Sequence, residues 1–267
     1  MSRKPHHLSD VDNIVRHLLF GDEITRRNQL ITAEVRALAL AAGVTQVLHL
    51  GCGMPTADGD QNHPAGLGIR EVAVDNDPIV VSVRERQRRT EARRRSYRAS
   101  ALPAILEADL RDPGAILAST TVRNTLDLGK PLLLLATAAF HHIPNIQRPG
   151  EIVAHYLNAL APGSYIVVSH LALPEDQNGR RRLAAAHGLC PDVTPPAIAR
   201  PRAVLEGWLR GLDRVPLQTN GGRFLHAVAG RSHLAPTAET TPAPRRGPSH
   251  TLIQPASSGS RGESRTS

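Results

Sequence analysis

The sequence predicts an α/β fold in which helices cover both faces of a doubly wound, mostly parallel sheet. Short apolar runs that end at turn-forming residues, such as Val47–Leu50 and Val72–Val74, are typical of strands buried on both faces. Segments with helical periodicity separate these runs. Aromatic residues form only 3% of the 267-residue chain, so the core must consist of Leu, Val, Ile and Ala, which suits such a sheet.

The first two predicted strands both end in residues that suit a nucleoside ligand. Val47–Leu50 is followed by Gly51-Cys52-Gly53, and Val72–Val74 is followed by Asp75. Glycine allows a ligand to approach the backbone closely because no Cβ is in the way. A carboxylate at the tip of the next strand can accept both hydrogen bonds of a ribose diol. The spacing of roughly 20 residues between them is typical of a nucleoside-binding βαβ unit, so we expect an adenosine-containing cofactor.

The glycine loop does not complete the pattern that dinucleotides require. That pattern has a third glycine, which lets the following helix pack closely below the pyrophosphate. Here Pro55 and Thr56 follow soon after Gly53, so a pyrophosphate cradle is disfavoured. An NAD(P)-dependent oxidoreductase is therefore the less favoured interpretation.

Further along, the chain continues to alternate between strands and helices. A third strand begins at Ile105 and ends near Asp109, and Asp112 and Pro113 suit the N-cap and first turn of a helix that runs to about Leu126. The other predicted strands cover residues 132–138, 165–169, 212–217 and 224–229. The other predicted helices cover residues 8–20, 24–42, 84–98, 151–160, 180–187 and 203–212, with Trp208 in the core.

Four motifs together resemble one protein family. They read Leu-Gly-x-Gly-x-Pro-Thr, Val-Asp-Asn-Asp-Pro, Ala-Asp-Leu-Arg-Asp-Pro and Pro-Gly-Ser-Tyr-Ile-Val-Val-Ser-His. From about Asp10 to about Arg231 the chain resembles the bacterial S-adenosyl methyltransferase family, long catalogued as a domain of unknown function. The resemblance implies a Rossmann-like class I methyltransferase fold, with a seven-stranded sheet and an antiparallel last strand. It also implies that the chain is an enzyme that uses S-adenosyl-L-methionine (SAM) as its cofactor.

The resemblance further implies which residues bind the cofactor. The glycine loop looks like the E/D/H-x-G-x-G motif of class I SAM methyltransferases, with His49 in the acidic position. By position, Asp109 matches the carboxylate that takes the adenine amino group in such enzymes. The predicted cofactor-binding residues are His49, Gly51, Cys52, Gly53, Asp75, Asn76, Asp109, Leu110 and Phe140.

A histidine-rich segment follows the fourth predicted strand, at the edge where ligands bind in doubly wound sheets. His141 is the predicted catalytic residue, because a histidine there is able to orient a nucleophile or accept its proton. His142, Ser169 and His170 are predicted to line the pocket of the methyl acceptor. We expect that acceptor to be a small molecule.

The charge of the chain raises one alternative. A net charge of +8 is compatible with an acidic partner such as nucleic acid, so a nucleic-acid-binding or regulatory protein that keeps the fold without turnover is the main alternative. Much of the positive charge lies at residues 84–98, where Glu85 and Glu91 interrupt the arginines and Tyr97 is the one aromatic residue. This pattern is more typical of a solvated helix face than of a base-stacking surface, so nucleic acid is the less favoured partner.

Composition divides the chain into an N-terminal helical segment at 1–43, a SAM-binding domain at 44–231 and a disordered tail at 232–267. In the family the first segment resembles a lid that carries a tyrosine, and this chain has His17 in its place. The tail is rich in Pro, Ser, Thr, Gly and Arg and cannot bury enough apolar surface to become ordered.

The sequence also predicts where the protein is and what it does not bind. No apolar run approaches the roughly 20 residues of a membrane span, and the N-terminus lacks an apolar signal core. We therefore expect a cytoplasmic protein that does not bind membranes. Cys52 and Cys190 provide no disulfide framework, and the loop at 58–64 lacks the ligand spacing of a metal site. The oligomeric state is not indicated.

Overall fold

The computed structural model describes residues 35–37, 39–55, 68–95, 102–189, 197–220 and 224–230. The chain divides into two units, Met1–His233 and Leu234–Ser267, and every described residue belongs to the first. The predicted tail, the loop at 58–64, His17 and most of the predicted lid lie outside the described residues. The end of the predicted helix at 24–42 is visible, and Gly43 follows it with a φ of 81°, the left-handed conformation expected of a helix-terminating glycine.

Seven strands form one sheet in the order β3-β2-β1-β4-β5-β7-β6. Strands β1 to β5 are parallel to one another, whereas β7 is antiparallel to both of its neighbours. This arrangement confirms the predicted doubly wound, mostly parallel sheet with an antiparallel last strand. The strands are β1 Gln46–Leu50, β2 Arg70–Asp75, β3 Ala104–Glu107, β4 Leu133–Thr137, β5 Tyr165–Leu171, β6 Asp213–Asn220 and β7 Phe224–Gly230.

Six α-helices of the described chain connect these strands. They are α1 Pro78–Arg95, α2 Pro113–Ala118, α3 Thr120–Thr125, α4 Pro149–Ala159, α5 Gln177–Leu189 and α6 Arg202–Trp208. Two single-turn 3-10 helices, Phe140–His142 and Asn145–Gln147, lie between β4 and α4. No described helix combines the length and the apolarity that crossing a bilayer would require. The cytoplasmic location stays a prediction.

The helix predicted from Pro113 to about Leu126 is two helices. Its beginning is confirmed, because the Asp112 carboxylate caps α2 by accepting a hydrogen bond from the Ala115 N–H at 2.9 Å. The continuous helix is wrong, because Ser119 has extended backbone angles that end α2. The Ser119 hydroxyl instead accepts from the Val122 N–H and starts α3. Serine competes for backbone hydrogen bonds in this way, which favours caps over helix interiors.

The winding of the sheet places one edge of it where a ligand can bind. From β1 the chain winds outward to β2 and β3, then returns to β4 on the other side of β1. Leu48 at the centre of β1 is paired with Val72 on one side and with Leu134 on the other. The direction of winding therefore reverses between β1 and β4, and ligands bind beyond the carboxyl ends of the strands at such a point.

Aliphatic side chains fill the core, as the composition predicts. Leu48, Leu50, Val72, Val74 and several side chains of β4 are fully buried. The helices α2 to α4 cover this face with Ile116, Val122 and Tyr156 among others. The buried strands thereby provide a rigid support for the loops at their carboxyl ends.

Candidate active site

A cavity of about 300 Å³ opens beyond the carboxyl ends of β1 to β4. This volume lies at the lower end of the range that small-molecule sites occupy. Four loops line the cavity, and each of them follows one of these strands. The lining residues are Gly51, Gly53, Asp75, Asn76, Asp77, Val80, Ala108, Asp109, Leu110, Arg111, Ala138, Ala139, His142, Ile143, Pro144 and Gln147.

The loop after β1 requires its two glycines. Gly51 and Gly53 have φ angles of 61° and 59°, a conformation that costs other residues energy. A Cβ on Gly51 would lie 2.7 Å from the Cβ of Ala139, which belongs to the loop after β4. The backbone of Gly51 therefore packs directly against the loop after β4, and the gap between the two loops has no room for a side chain.

Asp75 ends β2 with both carboxylate oxygens oriented. One oxygen accepts a hydrogen bond from the Gly53 N–H at 2.8 Å, and the other accepts from the Asp77 N–H at 3.0 Å. A carboxylate oxygen accepts more than one hydrogen bond, so these two contacts leave further acceptor positions. Asp75 lines the cavity, and its carboxylate is therefore suited to receive donors from a ligand such as a ribose.

The loop after β1 is also held from α1. Arg84 donates from Nε to the Gly53 carbonyl at 2.6 Å and from Nη2 to the Cys52 carbonyl at 2.7 Å. The Cys52 N–H donates to the Val74 carbonyl at 3.0 Å. The main-chain polar groups of Cys52 and Gly53 thus all have protein partners, and the loop is fixed before a ligand arrives.

The loop after β3 contributes Asp109 and Leu110. Arg111 forms a two-pronged ion pair with Asp109, and its hydrogen bonds hold the pKa of that carboxyl below its usual value against the opposing effect of burial. Arg111 also donates to Oε1 of Gln147 at 3.4 Å. Gln147 belongs to the segment after β4, so this bond connects the two loops. The Tyr156 hydroxyl donates to the Leu110 carbonyl at 2.9 Å, and this bond fixes the loop from below.

The loop after β4 forms the opposite wall and begins with a strained residue. Ala138 has a φ of 56°, which is uncommon for a residue that carries a Cβ. Its N–H donates to both the hydroxyl and the carbonyl oxygens of Ser169, at 2.9 and 3.1 Å. Because Ser169 is fully buried on β5, these contacts hold the turn that leads to His142, Ile143 and Pro144 at the cavity.

A buried arginine fastens the rest of that wall. Arg200 is only 3% exposed and donates to the carbonyls of Phe140 and Ile143. It also donates twice to Oδ1 of Asn145 and meets Nε2 of His170 at 2.8 Å. Burial lowers the pKa of Arg200. Its partners are main-chain carbonyls, an amide and an imidazole, so a single side chain ties the loop after β4 to the end of β5.

The structure brings six of the predicted cofactor residues together around the cavity. They are Gly51, Gly53, Asp75, Asn76, Asp109 and Leu110. Of the residues predicted for the acceptor side, His142 lines the same cavity. In the described residues no group of three or more His, Cys, Asp or Glu side chains is arranged to hold a metal ion.

Three predicted cofactor residues do not line the cavity. His49 lies on β1 with Nδ1 3.7 Å from Oε1 of Glu71, and burial lowers the pKa of His49. Cys52 points into a small apolar cluster behind the loop, where burial raises the pKa of its thiol to about 12. Phe140 is fully buried and packs edge-on against Trp208, which confirms Trp208 as a core contact.

Three residues predicted for catalysis or the acceptor also lie away from the cavity lining. His141 is 1% exposed and stacks obliquely against His142 at 4.3 Å between ring centroids. The Ser169 hydroxyl accepts the hydrogen bond of the Ala138 N–H, as described above. His170 is fully buried, with Nδ1 2.8 Å from the Leu171 carbonyl, and burial lowers its pKa to about 3. These side chains support the walls rather than line them.

Sequence reasoning missed Arg84, Arg111, Arg200 and Gln147. One of them has a recognisable pattern, because Arg84 lies four residues after the buried Val80 and therefore on the same face of α1. The other three follow breaks in regular structure, where no periodicity predicts the direction of a side chain.

Comparison with known proteins identifies the family of the chain. The sequence matches a family model described as S-adenosyl methyltransferase over residues 14–216. Among curated proteins, no sequence matches this chain. A similar solved structure is that of a candidate methyltransferase from Thermobifida fusca YX, which is 23% identical with a TM-score of 0.66 over 83% of this chain and 86% of that chain.

Two further structures share the fold. A DUF574 family protein from Streptomyces avermitilis MA-4680 is 24% identical with a TM-score of 0.64, over 83% of this chain and 89% of that chain. The magnesium protoporphyrin IX methyltransferase of Synechocystis PCC 6803, solved with bound SAM, is 18% identical with a TM-score of 0.50, over 83% and 91% of the two chains. Since the family match spans more than half of the sequence, the chain belongs to the S-adenosyl methyltransferase family and is a SAM-dependent methyltransferase.

Proposed function

We propose that the protein transfers the methyl group of SAM to a small-molecule acceptor in the cavity beyond β1 to β4. The observation that carries this proposal is the position of Asp75, which ends β2 with an oriented carboxylate opposite the two glycines of the loop after β1. A carboxylate at the tip of one strand and glycines that let the backbone approach the ligand are features that suit a nucleoside.

The residues around the cavity fit the cofactor. Asp75 is the proposed acceptor for the ribose hydroxyls, and the neighbouring Asn76 lies at the edge of the same surface. Asp109 is the proposed acceptor for the adenine amino group, with its carboxylate kept ionised by Arg111. Gly51 supports the fit independently, because a Cβ there would collide with Ala139, so only a glycine lets the loop after β1 lie this close to the wall after β4.

When bound, SAM supplies an electrophilic methyl group on a sulfonium sulfur. The protein then contributes alignment and exclusion of water, since a direct displacement needs donor and acceptor held in line. Val80, Ile143 and Pro144 give the cavity apolar surface for that purpose. The rigid wall after β4 keeps its geometry through the contacts of Arg200 and Ser169.

We also propose that the histidine which accepts a proton from the acceptor is His142. The predicted catalytic residue, His141, is 1% exposed, whereas the half-buried His142 lines the cavity. A group must come within hydrogen-bond reach of the proton that it takes, so geometry favours His142 over its neighbour. The acceptor itself needs no such base when it is already nucleophilic.

Isothermal titration calorimetry with SAM tests the proposal. We expect the wild-type protein to bind SAM and the Asp75→Asn variant to bind it roughly tenfold or more weakly, because the variant loses charge-assisted hydrogen bonds. Glu107→Gln is a matched control, since Glu107 is paired with Asp75 at the end of β3 but is exposed and does not line the cavity. Absence of SAM binding by the wild-type protein would refute the proposal. If the wild-type protein binds SAM, a screen of small molecules with labelled SAM identifies the acceptor.

A further inference from the structure

The arginine-rich helix α1 turns one of its arginines inward. Arg84 is half-buried and lies one turn after Val80, which is 2% exposed and lines the cavity. Side chains four residues apart share a helix face, so Arg84 extends along the loop after β1 instead of into solvent. The arginine run of α1 is therefore more than a solvated surface.

The guanidinium of Arg84 joins two consecutive peptide groups of the glycine loop. Nε donates to the Gly53 carbonyl at 2.6 Å, and Nη2 donates to the Cys52 carbonyl at 2.7 Å. A planar guanidinium presents its donors in a fixed fork, so two bonds from one side chain fix both the position and the orientation of their acceptors. Few side chains are able to hold two adjacent carbonyls in this way.

The opposite side of the same loop is held by β2. The Gly53 N–H donates to the Asp75 carboxylate at 2.8 Å, and the Cys52 N–H donates to the Val74 carbonyl at 3.0 Å. The loop thus lies between a carboxylate from the sheet and a cation from the helix. Glycines have the greatest backbone freedom to lose, so a loop with two of them gains most from such fixation.

We propose that Arg84 is a positioning residue of the cofactor site, which holds the Gly51–Gly53 loop in its binding conformation. This inference rests on the proposed function, because it assigns the loop to SAM binding. The physical reason is preorganisation. When the loop is already ordered in the empty protein, none of the binding free energy is lost in ordering it. Arg84 acts through the loop backbone and is not assigned a contact with SAM.

The other arginines of α1 provide controls. Arg86 is exposed, and Arg88 pairs with Glu85 at 3.4 Å on the helix surface. Arg86→Met therefore removes the same charge and the same number of donors as Arg84→Met, on the same helix, without a contact to the loop. Arg84→Lys is a milder variant, because an ammonium keeps the charge but lacks the fork that spans two carbonyls.

The experiment uses the full chain with Cys190→Ser, so that Cys52 in the loop is the remaining cysteine. SAM affinity is measured by calorimetry, the rate of Cys52 modification by a colourimetric thiol reagent, and the folded state by thermal denaturation. Because Cys52 is buried and its thiol pKa is raised to about 12, it reacts through transient opening of the loop. Its reaction rate therefore reports how firmly the empty loop is held.

We expect Arg84→Met to weaken SAM binding roughly tenfold or more and to speed the Cys52 reaction by a similar factor, since two hydrogen bonds from a charged donor are lost. Arg84→Lys should fall between this variant and wild type, and Arg86→Met should match wild type. If Arg84→Met unfolds, the comparison of Arg84→Lys with Arg86→Met decides the outcome.

Wild-type SAM affinity together with a wild-type Cys52 rate in the folded Arg84 variants would overturn the inference. A wild-type protein that fails to bind SAM would instead refute the proposed function. The Cys52 rate would still show in that case whether Arg84 holds the loop. The two failures are therefore distinguishable.

Discussion

Lowering the pH should destabilise the protein through His170. This residue is fully buried, with one ring nitrogen 2.8 Å from the Leu171 carbonyl and the other 2.8 Å from a guanidinium nitrogen of Arg200. Burial, with Arg200 adding a smaller effect in the same direction, lowers its pKa from 6.5 to about 3. A proton on His170 would place a second cation beside the first in a buried site.

The size of the effect follows from these two pKa values. Between them, the unfolded chain binds a proton at this histidine and the folded chain does not, so stability falls as the pH falls below the unfolded value. From neutral pH to about pH 5, the expected loss is about 2 kcal/mol from this one group. That loss is a large fraction of the stability of an ordinary domain.

Urea denaturation at the two pH values measures the effect, with His170→Gln as the matched variant. Glutamine keeps a donor and an acceptor and has no charge to gain, so it should lose about 2 kcal/mol less stability than wild type between the same pH values. His49, whose pKa is also lowered by burial, remains in both proteins and cancels in the difference. A direct check is nitrogen NMR, in which the His170 ring should stay neutral at pH 5.

Equal pH dependence in wild type and His170→Gln would refute this reasoning. So would a His170 ring signal that titrates near pH 6.5, because the ring would then be solvated or would have found an anionic partner. Either result would mean that Arg200 is not held beside a neutral imidazole.

Two more substitutions test the walls of the cavity. Gly51→Ala adds a Cβ 2.7 Å from the Ala139 Cβ at a φ of 61°, so we expect a loss of roughly 2–4 kcal/mol in urea denaturation. In contrast, Gly207→Ala, where a helical Cβ meets nothing within 4 Å, should not destabilise. Ser169→Ala removes the 2.9 Å acceptor of the Ala138 N–H and should cost about 1 kcal/mol with an unchanged m-value. If Gly51→Ala or Ser169→Ala unfolds at the same urea concentration as the wild-type protein, the contacts described for the corresponding loop are contradicted.

The sequence predicts the sheet well because its strands have an unambiguous pattern. β1, β2, β4 and β5 are continuous apolar runs that end at turn residues, and each lies within two residues of its predicted bounds. A buried parallel strand has no polar face to confuse the pattern. Six of the nine residues predicted for the cofactor line the cavity, because residues that end neighbouring parallel strands meet at one edge.

The acceptor side was harder because of the turn after β4. Phe140, His141 and His142 form a single 3-10 turn with about three residues per turn, so their side chains point in three different directions. One of them lines the cavity while the other two are buried. The amino-acid sequence of this segment does not show which residue faces the cavity, because that depends on how the rest of the protein holds the turn.

That anchor is remote in the sequence. Arg200 contacts Phe140, Ile143 and Asn145 across 55 to 60 positions, and a contact of this kind leaves no periodic pattern. A lone arginine in a proline-rich connection is usually exposed. Only the packing of the segment at 197–200 against the end of β5 shows that this one is buried.

The distance between Arg200 and the loop that it ties has a consequence for how the protein is made. The chain emerges from the ribosome from its N-terminus, so the glycine loop, Asp75 and Asp109 are synthesised long before residue 200. The residues of one half of the cavity are then already translated, whereas Arg200 follows Phe140, in the wall after β4, by 60 positions. During that interval the histidine-bearing turn lacks the donors that Arg200 gives to the carbonyls of Phe140 and Ile143, so we expect the wall after β4 to reach its final geometry late in folding.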